Sequence, residues 1–384
     1  MIKGELPKGW ELTALGEAAD NLDGMRVPLN MSDRDQRHGE YPYYGASGVI
    51  DQIDDFLFDG DYLLVAEDGA NLLARSTPIA FLASGRFWVN NHAHVLSFNG
   101  KASLSYLKRY LCSIDISPFV TGSAQPKLNQ KNLDRIEIPL PPLSEQKRIA
   151  DILDKADAIR RKRQAAIDGL LQIPGSAFHA MFGTPVHNTK GWKIGTIRDL
   201  VEEVKYGSSS KASAVGKYPM LRMNNITYEG TWNLSDLKYI DLDEKDLPKY
   251  LARKGDILFN RTNSKELVGK TAVFQEDIPM AFAGYLVRAR TNELAHPDYI
   301  SGYLNSPHGK ATLRHMCKNI VGMANINAQS FQDILIPHPP IEVQLEYVRL
   351  LNGVRQSEKP LRRAFNESAF FFHSLVQRAF KGEL

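Results

Sequence analysis

Apolar and polar positions alternate in short runs along roughly the first 140 residues, as in Tyr62-Leu63-Leu64-Val65, Trp88-Val89 and Val95-Leu96-Ser97-Phe98. Gly45, Gly48, Gly60, Gly69 and Gly85 punctuate these runs, so the pattern predicts short strands joined by turns, with a helix over Leu104 to Cys112. From 191 to about 341 the plan returns, with Asp256-Ile257-Leu258-Phe259 as a strand and Pro297 to Leu304 opening a matching helix. Each globular segment reads as α+β. After Pro141-Pro142 the period changes. Apolar or small residues fall at Ile149, Ile152, Ala156, Ile159, Ala166, Leu170 and Ile173, a three-four spacing interrupted by Arg163. A helix of about 39 residues, near 58 Å long, is predicted there.

The helix pattern is written twice. Leu128, Asn129, Ile136, Ile138, Pro139, Pro141, Pro142, Gln146, Ile152 and Leu153 reappear 198 positions later as Ile326, Asn327, Ile334, Ile336, Pro337, Pro339, Pro340, Gln344, Leu350 and Leu351. The second seam runs Tyr347, Leu350, Val354, Ser357, Leu361, Ala364, Ser368 and Phe371, and the two copies end on Phe182 and Phe380. Looser echoes link Gly9-Trp10 to Gly191-Trp192, Gly60-Asp61 to Gly255-Asp256, and Tyr106-Tyr110-Ser113 to Tyr299-Tyr303-Ser306. The chain is therefore a tandem duplication of a globular segment followed by a helix. Its expected parts are globular segments 1–143 and 184–341 and helices 144–183 and 342–384. Only a short connection, Gly183 to Lys190, follows the first helix, so the second can pair with it only by running back. An antiparallel pair related by an approximate two-fold axis is predicted. Ser144 or Glu145 can cap the first helix, Glu342 sits in the first turn of the second, and Pro174 and Pro360 are expected to kink or break them.

At 384 residues each half has chain enough for its own core. No apolar run approaches membrane-spanning length, and Met1-Ile2-Lys3-Gly4-Glu5 lacks an apolar signal core, so a soluble, cytoplasmic protein is expected. Cys112 and Cys317 do not correspond under the repeat and read as free thiols. Residues 1 to 190 hold 21 Lys+Arg against 23 Asp+Glu and the remainder 26 against 21, which together give the net charge of +3. That is not the footprint of a non-specific polyanion binder, so any nucleic-acid contact must come from local patches and shaped loops.

Ile138-Pro139-Leu140-Pro141-Pro142-Leu143-Ser144-Glu145-Gln146-Lys147-Arg148-Ile149-Ala150 resembles the Pro-Pro-x-x-Glu-Gln-x-x-Ile segment of the specificity subunits of type I restriction-modification enzymes. Gly255-Asp256-Ile257-Leu258-Phe259-Asn260-Arg261 is similar to a recurrent strand of their target recognition domains. Tyr43-Tyr44-Gly45-Ala46-Ser47-Gly48 and Ala66-Glu67-Asp68-Gly69-Ala70-Asn71 resemble another such domain type. The second copy departs from the pattern where Val343 stands in place of Glu145. The resemblance implies a non-catalytic reader of double-stranded DNA, each target recognition domain reading one part of a split, asymmetric sequence. It further implies that the helices set the spacing between the parts and dock two DNA adenine methyltransferase subunits. Those partners would bind S-adenosylmethionine, and motor-nuclease subunits would join to cleave unmodified DNA. Glu145, Gln146, Ile149, Ile152, Ile159, Gln344, Leu350 and Leu361 are the expected spacer and partner-binding positions.

Arg, Lys, Asn, Gln and Ser are the usual base-edge readers because they offer bidentate or adaptable hydrogen bonds in the major groove. In the second segment such residues cluster in three loops: Ser208, Ser209 and Lys211 after Tyr206-Gly207; Arg222, Asn224 and Asn225; and Arg261, Thr262, Asn263 and Lys265. In the first, Tyr44, Ser47, Asn71, Arg75, Asn90, Asn91 and His92 are the comparable set. Two glycine-opened loops precede the repeated helices. One runs Gly122-Ser123-Ala124-Gln125-Pro126-Lys127, the other Gly322-Met323-Ala324-Asn325-Ile326-Asn327. Gln125, Lys127, Asn325 and Asn327 are their candidate contacts, for phosphate or base. His92-Ala93-His94 puts two imidazoles on one strand face, but no third metal ligand is forced nearby. No Gly-rich nucleotide loop or methyltransferase signature is present. Two other readings stay open, a duplicated protein-interaction scaffold and a metal-dependent nuclease.

Overall fold

The computed structural model describes residues 6–122, 124–184, 186–320 and 323–384; Met1–Glu5, Ser123, Pro185, Val321 and Gly322 lie outside the described residues. Two compact units emerge, one of residues up to Gln164 together with Arg363–Leu384, the other Ala165–Arg362. Each unit thus takes its globular part from one repeat and helical segments from both.

Unit 1 is built on a six-stranded sheet in the order Asp20–Asn21, Ala93–Ser97, Phe58–Ala66, Ala80–Val89, His38–Gly45, Gly48–Ile53. Period-two alternation divides the central strand between two cores. Leu63 and Val65 join a large cluster with the helix Leu104–Ser113, while Leu64 packs with Phe58, Phe87 and Val95 on the opposite face. Unit 2 carries an antiparallel four-stranded sheet, Val201–Tyr206, Leu286–Thr291, Ile257–Asn260, Thr271–Val273. A second, mixed sheet has the order Lys238–Ile240, Tyr218–Leu221, Met280–Phe282, Leu251–Ala252. The α+β expectation therefore holds for both.

The long helices run Leu143–Phe182 and Ile341–Ala379, continuous through Pro174 and Pro360. Neither proline breaks its helix, since one proline removes a single intrahelical bond and the flanking turns keep theirs. Before each helix, the strand that leads into the paired prolines pairs with the strand opening its repeat. Glu11 faces Leu140 in one copy and Thr196 faces Leu335 in the other. The Tyr106 hydroxyl donates to Pro139 O and that of Tyr110 to Glu137 O; in unit 2 Tyr299 donates to Pro337 O and Tyr303 to Leu335 O.

One glutamine per copy then fixes the helix start. Gln146 Nε2 donates to Lys101 O and Pro141 O (2.9 and 2.8 Å), and its Oε1 accepts from Ser103 N (2.7 Å), the capping residue of Leu104–Ser113. Gln344 repeats this with Leu294 O, Pro339 O and the N–H of His296, the capping residue of Pro297–Asn305. Both glutamines are buried and spend their carboxamides within their own unit, which corrects the expectation that they face a partner.

The helix ends are exchanged. Phe380, which closes the second repeat, packs edge-on against Tyr106 and Tyr110 of the first, at centroid distances of 5.5 and 5.1 Å. Phe178 and Phe182, from the first repeat, pack on Tyr299 and Tyr347 of the second. In each unit the end of one helix therefore lies against the beginning of the other, the antiparallel arrangement that connectivity demands.

The buried stripe differs from the predicted seam. In the first helix Ile149, Leu153, Asp157, Ile167, Phe178 and Phe182 are buried, Ile152 is intermediate, and Ile159, Ala166 and Ile173 are exposed. Ser357 and Phe371 are exposed in the second, and Leu350 and Leu361 intermediate. A seam of apolar residues does not include Asp157, yet this carboxylate takes an inward position of the first helix. Burial opposes the charge of Asp157, but bonds from Arg160 and Arg109 outweigh it and hold its pKa below the usual carboxylate value. The equivalent position in the second helix is Arg355, bonded to Asp298 (2.5 and 3.1 Å), so the bridge from helix to globular part is kept with its polarity reversed.

Unit 2 also holds a partly open pocket of about 870 Å³, lined in part by Pro174, Phe178, Gly302, Tyr347 and Lys310. Lys310 Nζ donates to Tyr228 O (2.9 Å), and burial pushes its pKa down to about 8.

Replacing Gln146 or Gln344 by Leu should strand one N–H and two carbonyls and cost about 2–3 kcal/mol. Urea unfolding of each variant measures this, with exposed Lys147→Ala as the near-neutral control. Lys310 binds its proton more weakly folded than unfolded, so its charge destabilises unit 2 below pH 8. This cost lifts as pH rises from about 8 towards the unfolded value of 10.5. The denaturant midpoint should accordingly rise between pH 8 and 10, and Lys310→Met should flatten that rise.

Candidate nucleic-acid interface

In each unit the loop leaving a central strand meets the loop that precedes the paired prolines. In unit 1 the Glu67 N–H donates to His92 O (2.9 Å) and Glu67 O accepts from Leu128 N (2.7 Å), while Asp68 pairs with Lys127. In unit 2 the Arg261 N–H donates to Tyr285 O (3.0 Å), Arg261 O accepts from Ile326 N (2.9 Å), and Thr262 pairs with Asn325. Leu128 and Ile326 are 198 apart, so the same backbone frame is built twice. On it Glu67 corresponds to Arg261, His92 to Tyr285 and Lys127 to Asn325.

On the unit 2 frame the Arg261 guanidinium lies 4.9 Å over the Tyr206 ring. Its only hydrogen bonds among the described residues are long, 3.4 Å to Gly284 O and 3.4 Å to Asn325 Oδ1, and its buried Nε has no partner. Asn325 in turn donates to Thr262 Oγ1 (2.7 Å). Gly207 lets its strand run against Ala283, since a Cβ there would lie 2.3 Å from Ala283 O. That close approach seats Ser208 beside Ala283 and Gly284. Arg261, Thr262, Asn325 and Tyr206 are thus brought together, with half-exposed Tyr285 at the rim, whereas Ser208, expected as a contact, is buried and its Oγ accepts from Ser210 N (3.2 Å). Ser209, Lys211 and Lys265 are exposed, and Asn263 accepts from Ser264 N.

Several expected contacts are instead committed to their own fold. Arg222 is paired with Asp236 (2.9 Å), and buried Asn225 donates to Asn233 O and Asp236 O, although Asn224 beside it is exposed. Asn327 caps the helix Ala328–Gln332 by accepting from Ser330 N. In unit 1 Arg75, in a left-handed conformation (φ 53°), donates to Ile114 O (2.6 Å) and Leu111 O. Asn71 closes the turn to Thr77, and buried Asn90 accepts from His92 N. In each case the same features that suit an amide or guanidinium to a base edge suit it to nearby backbone. Tyr44 is half-buried against Phe81 and Phe87, and burial raises its hydroxyl pKa. Ser47, Asn91, His92, Gln125 and Lys127 remain exposed. Of the two glycine-opened loops, Ser123 and Gly322 lie outside the described residues.

The unit 1 frame is ionic. Arg26 Nη1 bonds Glu67 Oε2 (2.7 Å) and Ala93 O (2.7 Å), and Lys127 Nζ lies 3.2 Å from Glu67 Oε1. Fully buried His94 faces Asp23 Oδ2 with Nδ1 (2.5 Å) and Leu128 O with Nε2 (2.7 Å). Burial disfavours the Asp23 carboxylate, but His94, the Val95 N–H and Arg26 together lower its pKa. The two histidines of His92-Ala93-His94 do not converge, because His92 bonds Asp68 at the surface. Possible ligand atoms of Asp23, Glu67 and His94 do lie within 4.8 Å of one another. Both ring nitrogens of His94 are spent, however, and Arg26 and Lys127 already balance the carboxylates, so the donor set does not suit a divalent metal.

Tyr206, Tyr285, Arg26 and Glu67 stand at the two frames without being among the contacts expected from the sequence. The echo of Gly60-Asp61 in Gly255-Asp256 aligns Glu67 with Thr262, one residue from its structural counterpart, and only the hydrogen bonds correct that register.

Residues 7–168 and 189–359 match the family described as the type I restriction modification DNA specificity domain. A putative type I restriction enzyme specificity subunit of Haemophilus influenzae is 36% identical over 149 residues, covering 39% of this chain and 38% of that protein. The EcoKI specificity subunit of Escherichia coli is 27% identical over 299 residues, 73% of this chain and 64% of the relative. The chain thus spans less than two thirds of the length of these curated relatives. The crystal structure of a type I restriction-modification S subunit from M. genitalium shares the fold, with a TM-score of 0.64 at 14% identity over 99% of this chain and 98% of the other. A chain from a study of complex assembly and conformational transition in a type I system aligns over 100% of both chains with a TM-score of 0.54 at 16% identity. With two matched segments that together take in most of its residues, this chain belongs to the type I restriction modification DNA specificity family.

Proposed function

We propose that this chain is the DNA-reading subunit of a type I restriction-modification complex and performs no chemistry itself. Each unit reads one part of a split, asymmetric duplex sequence. The observation that carries this reading is the twice-built frame, which presents polar loops of different chemistry on the same backbone. Unit 2 offers a guanidinium with unspent donors, and such a group gains most from guanine O6 and N7 or from phosphate. A net charge of only +3 fits binding that depends on these shaped contacts more than on bulk attraction.

The long helices set the number of base pairs between the two parts and dock two adenine methyltransferase subunits, which bind S-adenosylmethionine; motor-nuclease subunits complete the assembly. Docking is supported by the apolar residues the helices leave uncovered, including Phe370 (80% exposed), Phe371 (59%) and Ile159 (50%). A nuclease reading is disfavoured by the charge-balanced Asp23–Glu67–His94 cluster. No helix among the described residues is long and apolar enough to cross a membrane.

Arg261→Ala should weaken cognate binding by about 1–3 kcal/mol while changing binding to random duplex much less. Lys211→Ala should lower affinity on both and flatten the salt dependence. Competition binding in the assembled complex checks both, and equal losses for Arg261→Ala would assign that residue to the phosphate backbone. Inserting seven residues into both helices, between Ile159 and Ala166 and between Ser357 and Ala364, adds two turns, ~10 Å. Methylome sequencing should then show unchanged half-sequences with a gap about three base pairs longer. An unchanged gap from a folded, active protein would refute the ruler.

A further inference from the structure

We infer that Glu67 and Arg261, equivalent on the repeated frame, read bases of opposite polarity. Glu67 accepts from an exocyclic base amine in the part of the target read by unit 1, and Arg261 donates to the O6 and N7 acceptors of a guanine in the part read by unit 2. The inference rests on the proposed function and names the base chemistry of its two sites.

The equivalence is fixed by hydrogen bonds rather than by sequence alignment. Each residue donates its N–H to the loop that opens the neighbouring strand and accepts from the residue leading into the paired prolines. A side chain at this position therefore leaves the same backbone in the same sense in both units, and what differs is its chemistry. Arg261 carries one charge and donors only, held over an aromatic ring with Nε unpartnered. Glu67 offers acceptors only.

A carboxylate facing DNA is normally repelled by phosphate, and the unit 1 frame removes that objection. Arg26, like Glu67 only 12% exposed at its side chain, holds Oε2 from within at 2.7 Å and, although shared with Asp23 (3.2 Å), offsets part of the charge. Lys127, 51% exposed on a flexible stem, covers Oε1 at 3.2 Å. When a duplex approaches, the Lys127 ammonium can exchange this carboxylate oxygen for a phosphate and leave Oε1 open to a base N–H. Carboxylates in the major groove accept from cytosine N4, and adenine N6 offers the same donor. Beneath the pair, His94 joins Asp23 to Leu128 O and fixes the frame on which Glu67 stands.

The test uses the complete complex with its methyltransferase partners and selects from a randomised duplex library. Wild type, Glu67→Gln and Arg261→Gln are compared, with thermal unfolding to confirm that the variants fold. Wild type should require cytosine or adenine at one position in one part of the target. Glu67→Gln should relax that preference by on the order of 10-fold or more and leave every other position unchanged. Arg261→Gln should relax a guanine in the other part alone. An unaltered profile for Glu67→Gln, an even loss across all positions, or relaxation in the part affected by Arg261→Gln would overturn the inference. Failure of the wild-type complex to select any sequence would instead overturn the proposed function, and the inference with it.

Discussion

A buried carboxamide governs the construction of this chain. Gln146 and Gln344 each take the N–H of the capping residue of a domain helix and give their own two protons to carbonyls on either side. An amide suits this position because it offers two donors and an acceptor on one short plane, so three backbone groups that would be costly to bury unpaired are satisfied at once. The first turn of each long helix is thereby locked to the globular part before it. The buried tyrosines add a second tie, their hydroxyls bonded to the strand that enters the paired prolines.

With the helix starts fixed, the helix ends are shared. Phe380 completes the core around Tyr106, and Phe182 the core around Tyr299. Neither repeat holds a complete hydrophobic core, since each needs an aromatic residue delivered by the helix of the other. The two copies are alike in this exchange and unlike in detail. Asp157 and Arg355 carry opposite charges at one helical position, and each meets the opposite charge on its own globular part. Such pairs contribute modestly to stability, but losing Arg355 would leave the buried Asp298 carboxylate without its guanidinium, whereas Asp157 keeps Arg160 and Arg161 if Arg109 is lost.

The same division between shared frame and private chemistry marks the loops. Backbone hydrogen bonds hold Glu67 and Arg261 in one geometry, and their surroundings diverge: an ionic cluster about Arg26 and His94 in one unit, an aromatic-backed guanidinium in the other. Keeping the frame while varying the side chains gives a duplicated fold two loop surfaces of different chemistry.

The duplication, the α+β segments, the two long helices and their antiparallel sense were legible in the chain itself, because repeats, periodicity and a short connection are properties of sequence. So was Arg261. The inward face of the helices was not, since periodicity follows apolar residues and cannot anticipate that Asp157 is buried while Ile159 is exposed. Nor could composition separate the polar residues that serve the fold from those left open. Arg75, Arg222, Asn225, Asn327 and the two glutamines look the same in a sequence as Arg261, whose bonds are long and whose Nε has no partner, for an amide or guanidinium binds a backbone carbonyl by the chemistry with which it binds a base. Only the tertiary structure decides which of them already has a partner.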